Sequence, residues 1–195
     1  MSSYRASSRS WIAGLLAAAS TLLLVIGPRA AFSAASPRPA AQTYPAGVFL
    51  NEFMPQPVSD WNDDGAANQG DQYIELYNAN AFDVDLSGWM LDDVANDGSP
   101  PYALPPGTTL RGQRHLLLFA AETGIDLADE AEGDELRLLT PDGALVESHS
   151  YIGTVADGAY SKITDGGGAW TSALPPSPGA ANQPPGPPTA TPTPT

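Results

Sequence analysis

Residues Asp71–Asp93 read DQYIELYNANAFDVDLSGWMLDD, and their spacing leaves little room for anything but extended chain. In Tyr73–Asn78, Ile74 and Leu76 alternate with Tyr73, Glu75 and Tyr77, the period-two pattern of a strand with one buried face. A second β-type segment, Asp83–Asp92, follows a short polar bend at Asn78-Ala79-Asn80, which predicts a central hairpin. Within it Val84 and Leu86 share one parity while Trp89 and Leu91 share the other. An extra residue or a bend at Ser87-Gly88 must absorb that switch, and glycine tolerates the bulge conformation there.

The rest of the chain repeats the theme of short apolar segments cut by turn residues. Val48–Met54 predicts a first strand, and Pro55-Gln56-Pro57 ends it, because proline donates no ladder hydrogen bond. Tyr102-Ala103-Leu104 reads as a short strand, Pro105-Pro106-Gly107 as a tight turn and Thr108–Leu110 as a brief edge segment. Leu116–Ala121 is a continuous apolar run; by pattern alone it fits a central strand covered on both faces or the start of a buried helix, and its length favours the strand. Glu122–Asp134 reads as an acidic surface connection with room for one helical turn. Glu135–Thr140 and Ala144–Tyr151 flank Pro141-Asp142-Gly143, and Asp-Gly between alternating segments predicts a hairpin. Ala159–Ile163 is the last predicted strand, followed by a Gly166-Gly167-Gly168 loop and Trp170. Many short strands with almost no helical period predict an all-β sandwich.

IELYN followed by VDLSGW and a short apolar strand resembles the core signature of the lamin-tail domain family. Asn51-Glu52-Phe53-Met54-Pro55 is similar to that family's opening strand, and Ser177-Pro178-Gly179-Ala180-Ala181-Asn182 to its closing motif. The resemblance runs over about residues 46–182. It implies an immunoglobulin-like β-sandwich that binds or displays rather than catalyses.

The two ends read differently. Met1–Arg9 is basic, Trp11–Ile26 is almost purely apolar, and Ser33-Ala34-Ala35 offers small residues at a cleavage site. Residues 1–35 therefore have the layout of a secretory signal peptide; an uncleaved membrane anchor is the competing reading, in which the leader alone would touch a membrane. Residues 36–45 form a Pro/Ala-rich linker, residues 46–182 the sandwich, and residues 183–195 a Pro/Thr tail too poor in apolar residues to form a core. Such tails look like the wall-spanning linkers or glycosylation stalks of secreted bacterial proteins, so the expected location is the extracellular medium or cell surface.

Cysteine is absent, which excludes disulfides, thiolate metal sites and thiol nucleophiles. A secreted domain built this way rests on packing, on bound metal, or on both. The formal net charge is −14, and Arg5, Arg9 and Arg29 lie in the leader while every Asp and Glu lies after it. That balance repels nucleic-acid phosphates, so no nucleic-acid partner is expected. It disfavours anionic lipid too. Cations are the natural small partners, and a simple solubility role is the favoured account of the charge.

Asp60–Asp71 carries the clearest chemistry. It reads DWNDDGAANQGD, with oxygen side chains at positions 1, 3, 5, 9 and 12 and glycine at position 6. That is the spacing of an EF-hand-type calcium loop, in which one turn of chain wraps a single ion. Asp60, Asn62 and Asp64 would turn alternate oxygens inward, Gly65 would allow the sharp turn, Ala66 would offer its carbonyl, Asn68 would bind directly or through water, and Asp71 would close the cage. The pattern is similar to the calcium loops of dockerin modules, which share Asp at position 12. The helix after an EF-hand loop is missing here, because a strand follows Asp71. An oxygen-only set suits Ca²⁺ better than Zn²⁺.

The remaining polar residues predict no enzyme. His149 shares strand parity with Glu147 and Tyr151, but Ser148 and Ser150 face away from it, and half-exposed strand histidines are commonplace. Glu52 and Glu75 lie on strands expected to be neighbours, with no sugar cleft evident around them. Asp92-Asp93 with Asp97 reads as a solvated loop before a second cation site. No nucleophile, base and orienting group come together. The expected function is a non-catalytic binding or structural module, calcium-stabilised, that associates with a protein or cell-surface partner. The alternative is an accessory domain of an extracellular nuclease or phosphoesterase whose catalytic part lies elsewhere, a fold-level analogy only.

Overall fold

A computed structural model describes residues 42–128, 133–153 and 155–183. The predicted signal peptide, the first part of the linker and the Pro/Thr tail beyond Gln183 lie outside the described residues.

The first strand, β1 (Val48–Met54), falls where the sequence predicts it. It is the middle strand of a five-stranded antiparallel sheet ordered β11-β10-β1-β2-β7, with β2 at Tyr73–Asn78, β7 at His115–Phe119, β10 at Tyr160–Thr164 and β11 at Gly167–Thr171. A four-stranded antiparallel sheet faces it, ordered β5-β4-β8-β9, with β4 at Met90–Asp92, β5 at Tyr102–Ala103, β8 at Asp134–Leu139 and β9 at Leu145–Tyr151. Two short strands, β3 (Val84–Asp85) and β6 (Thr109–Leu110), pair separately. The only helical pieces among the described residues are a 3-10 turn at Gln69–Asp71 and one α-turn at Ala120–Thr123.

The core lies between the two large sheets. Leu50, Phe53, Ile74, Leu76 and Leu118 from one meet Leu91, Leu136, Leu138 and Tyr151 from the other, with Val84, Leu86, Trp89, Leu104 and Leu110 closing the cluster. This is the expected all-β, immunoglobulin-like sandwich.

Four expectations need correction. Asp71–Asp93 is not a hairpin: β2 pairs with β1 and β7, while β3 pairs with β6 and β4 with β5 and β8. The parity switch at Ser87-Gly88 is a turn that carries the chain to another sheet, with Gly88 at φ +75° and Asp85 accepting from the Ser87 amide at 2.8 Å. It keeps Val84, Leu86, Trp89 and Leu91 all inside.

Second, β7 is an edge strand, paired only with β2, and the apolar run ends by turning helical at Ala120. Third, β2 is buried on both faces, since Tyr73 and Glu75 are as inaccessible as Leu76. Fourth, the glycine-rich stretch after β10 holds a further strand, β11, which carries Trp170. Glycine weakens the strand pattern without preventing pairing, so periodicity could not see it. The hairpin at Pro141-Asp142-Gly143 forms as predicted, joining β8 to β9 with Gly143 at φ +83°.

Candidate metal loop and the buried carboxylates

The second face of β2 is covered by two stretches of irregular chain: the Asp60–Asp71 loop at one end and the closing segment Ser177–Asn182 at the other. Both are held by carboxylates.

In the loop, the side chains of Asp60, Asn62, Asp64, Asn68 and Asp71 turn back onto backbone N–H groups, as short polar side chains do in turns. Asp60 accepts from the amides of Asp64 (3.1 Å) and Gly65 (2.9 Å), Asn62 Oδ1 from Asp64 (2.9 Å), and Asp64 Oδ1 from Ala66 (2.9 Å). Asn68 Oδ1 accepts from Gly70 at 2.7 Å, and its Nδ2 donates to the Ala66 carbonyl at 2.8 Å. Gly65, at φ +94°, makes the sharp turn that the sequence assigns to it.

Asp71 is fully buried and ties the loop shut: Oδ1 accepts from Trp61 (2.7 Å) and Asn62 (2.9 Å), and Oδ2 from Asn68 (2.8 Å). Burial pushes its pKa up, but those three N–H groups outweigh burial and hold the carboxyl below its ordinary value.

Asp60, Asn62 and Asp64 are therefore joined on one limb, Ala66 and Asn68 on the other, and Asp71 spans the two. Asp60, Asp64 and Asp71 do not gather as a three-carboxylate cluster, and no group of three His, Asp or Glu side chains does so among the described residues. The donors on offer are a mixed set of carboxylate, carboxamide and carbonyl oxygens. That set suits a hard, loosely coordinated cation such as Ca²⁺.

Sequence reasoning missed how the loop is attached to the sandwich. Asp157, in the turn between β9 and β10, accepts from the amides of Val58 (2.8 Å) and Ser59 (3.1 Å), from Ser59 Oγ (2.6 Å) and from Trp61 Nε1 (2.9 Å). Desolvation acts against these bonds, yet they bring its pKa down to about 2. A lone Asp before a glycine signals a turn and nothing more, so no pattern could have found this role.

At the other end, Glu52 and Glu75 face one another directly in the β1–β2 register and are both fully buried. Glu52 accepts from Tyr73 Oη, Ser161 Oγ (2.7 Å), Ser177 N (2.8 Å) and Ser177 Oγ (2.9 Å). Glu75 accepts from Asn51 Nδ2 (2.9 Å) and Gly179 N (2.6 Å). Asn51 reaches Glu75 because a β-bulge between Leu50 and Glu52 re-aims it. Asn182 completes the clasp, donating to the carbonyls of Asn51 (3.3 Å) and Lys162 (2.9 Å) and, through its amide, to Asp165 (2.9 Å). The paired carboxylates thus serve as acceptors for covering chain, with no cleft between them.

Burial, with the neighbouring Glu52 and Asp165 charges, raises the Glu75 pKa to about 7 against the bonds from Asn51 and Gly179. The folded state then holds this proton more tightly than the unfolded chain does. Its stabilising contribution is full below the ordinary value of 4.5 and is lost as pH rises through about 7. The urea midpoint is expected to fall between pH 5 and pH 8, and Glu75→Gln to flatten that slope; equal slopes in both proteins would refute the assignment.

The remaining polar side chains, for which no site is predicted, have partners of their own. Glu147 accepts from the Leu50 amide (3.0 Å) and Lys162 Nζ (2.5 Å), leaving His149 to stack on Trp170 with ring centroids 4.5 Å apart. Desolvation, helped by the Lys162 charge, lowers the His149 pKa. His115 sits 3.3 Å from Asp165 at the β7 edge. Asp92 is engaged by Arg137 at 2.6 Å and Asp93 by the amides of Val94 and Ser99, and with Asp97 they make no group of three that could hold a metal ion among the described residues. Trp89 is core, as expected, and Trp61 packs near Tyr73 beside the loop.

Among known families, the model described as Lamin Tail Domain matches residues 41–153, more than half of the chain. The matched stretch stops short of β10, β11 and the closing segment, although all three are built onto the same sheet. A search of curated proteins gave no match.

Proposed function

The chain belongs to the lamin tail domain family, and from that premise we propose that it is a non-catalytic binding and structural module, exported to the medium or cell surface and stabilised by calcium. The proposed unit spans residues 46–182, with a cleaved leader before it and the Pro/Thr tail as a spacer after it. Its partner is a protein or surface component; the net charge of −14 disfavours nucleic acid.

One observation carries the calcium reading. Buried Asp71 closes the Asp60–Asp71 loop on itself through the amides of Trp61, Asn62 and Asn68, and on this reading Asp60, Asn62, Asp64, the Ala66 carbonyl, Asn68 and Asp71 would turn their oxygens to one ion. In a chain without cysteine, such an ion would do the work of a disulfide, linking the exit of β1 to the start of β2.

Calcium is expected to raise the melting temperature, since a ligand that binds only the folded state adds about 2.7 kcal/mol at a hundredfold excess over its Kd. Asp60→Ala combined with Asp64→Ala should remove the increment, and magnesium should not reproduce it. An unchanged melting temperature in saturating calcium would end the calcium reading. A pull-down with the full chain, with and without calcium, addresses association separately; no retained protein or surface component in either condition counts against that role.

A further inference from the structure

We propose that Arg111, Arg114 and Phe82 form a docking surface for an acidic segment of a partner protein, in which carboxylates meet the two guanidinium groups and an apolar side chain covers the phenyl ring. The inference rests on the association reading above and gives it a surface.

Cations are scarce in this chain, and the fold disposes of them unevenly. Among the described residues Arg137 is paired with Asp92, and buried Lys162 with Glu147. Arg111 and Arg114 are exposed and make no ion pair among the described residues. They flank the turn Gly112-Gln113 that joins β6 to β7. Phe82, 59% exposed, is the one aromatic among the large apolar side chains that the described residues leave in water. Its loop lies against that turn: a Cβ on Gly112 would come within 2.7 Å of the Ala81 carbonyl carbon and 2.9 Å of the Phe82 nitrogen.

Asn78 fixes the backbone of both turns. Fully buried, it donates through Nδ2 to the carbonyls of Phe82 (2.9 Å) and Leu110 (3.0 Å), and through its amide to the Arg114 carbonyl (3.1 Å). Gln113 sits in the left-handed region at φ 55°, where its amide donates to the carbonyls of Asn78 (2.8 Å) and Asn80 (3.0 Å). Side chains carried on backbone fixed in this way need less ordering on binding, which favours affinity.

The chemistry points to carboxylates. A planar guanidinium takes a carboxylate through two parallel hydrogen bonds, and arginine beside an aromatic ring is the composition that interfaces favour over the rest of a surface. Asp83, exposed in the same patch, is partly spent, since Oδ1 accepts from the Gly112 amide at 3.0 Å. The net charge of −14 repels an acidic partner elsewhere, which confines its approach to this turn.

The immobilised full chain can be probed with a library of fluorescent peptides that carry several acids and one Leu or Phe. Matched peptides with Lys for the acids, or Ser for the apolar residue, serve as controls. The acidic, apolar peptides are expected to bind and both control sets to bind clearly more weakly. Arg111→Glu combined with Arg114→Glu should weaken binding by about tenfold or more, because like charges then meet. Phe82→Ser should weaken it several-fold, and Arg111→Lys with Arg114→Lys should fall between wild type and charge reversal, as charge without the fork. All three side chains stand in water, so thermal unfolding is expected to be unchanged in the variants. Wild type that binds none of the peptides overturns the inference, and so does binding untouched by charge reversal or by Phe82→Ser. Phosphatidylglycerol vesicles that bind in place of the peptides, or self-association in sedimentation that charge reversal abolishes, would give the patch to lipid or to a second copy and overturn it too. A pull-down that retains the same protein on wild-type and charge-reversed chains keeps the association reading and removes this surface from it; one that retains nothing on either counts against association itself.

Discussion

A chain ending at Pro176 is expected to lose about 4 kcal/mol or more of folding stability, because each hydrogen bond to a charged group contributes about 1.5–3 kcal/mol. Two such bonds vanish with the closing segment, Ser177 N and Oγ to Glu52, together with the bond from Gly179 N to Glu75, a carboxyl that keeps its proton below about pH 7. Asn182 goes with them, leaving the Asn51 and Lys162 carbonyls and Asp165 without those donors. Water reaching the uncovered carboxylates restores part of the loss, which keeps the figure below the simple sum. Domains of this size are stable by about 5–15 kcal/mol in total, so the truncated chain should lose a large share of its stability. Asn182→Ala isolates one end of the clasp and should cost about 1–3 kcal/mol through the buried acceptors it leaves unpaired. Urea unfolding followed by circular dichroism reads both. A truncated chain with the full-length midpoint would mean that the segment only decorates the sheet.

Trp89→Ala is expected to cost about 3–5 kcal/mol, the range for removing a large buried aromatic. Trp89 is 1% exposed, and Tyr44 meets its ring edge-on at 6.0 Å. It also sits just past the turn at Ser87-Gly88, with its amide bonded to the Leu86 carbonyl (3.0 Å) and its carbonyl accepting from Leu104 (2.8 Å). The backbone bonds survive the substitution, so the loss is packing. Trp89→Phe fills much of the space and should cost clearly less. Circular dichroism is the appropriate probe, because the variants remove a fluorophore; a loss below about 1 kcal/mol for Trp89→Ala would show that the cavity collapses freely.

Local chemistry was legible in the sequence wherever it is carried by near neighbours. Period-two alternation located β1, β2, β8, β9 and β10 to within a residue or so, and Pro141-Asp142-Gly143 located their tightest hairpin. The polar run Asp60–Asp71 marked a loop, while the turning of its side chains onto backbone N–H groups is not what the oxygen spacing announces. The absence of cysteine and the acidic balance bounded the chemistry before any fold was known.

Pairing and covering were decided only in three dimensions. Nothing in Asp71–Asp93 says that β2 ignores β3 and joins β1 and β7, because alternation fixes which face a side chain takes and not which strand lies beside it. Tyr73 and Glu75 look solvent-facing by parity, yet both are buried once Ser177–Asn182 and the Asp60–Asp71 loop lie across them. The Glu52–Glu75 clasp spans more than a hundred residues to Ser177 and Gly179, and Asp157 reaches back nearly as far to Val58 and Ser59. Such contacts leave no periodic trace: a carboxylate that binds distant backbone amides has the same sequence neighbours as one that binds water.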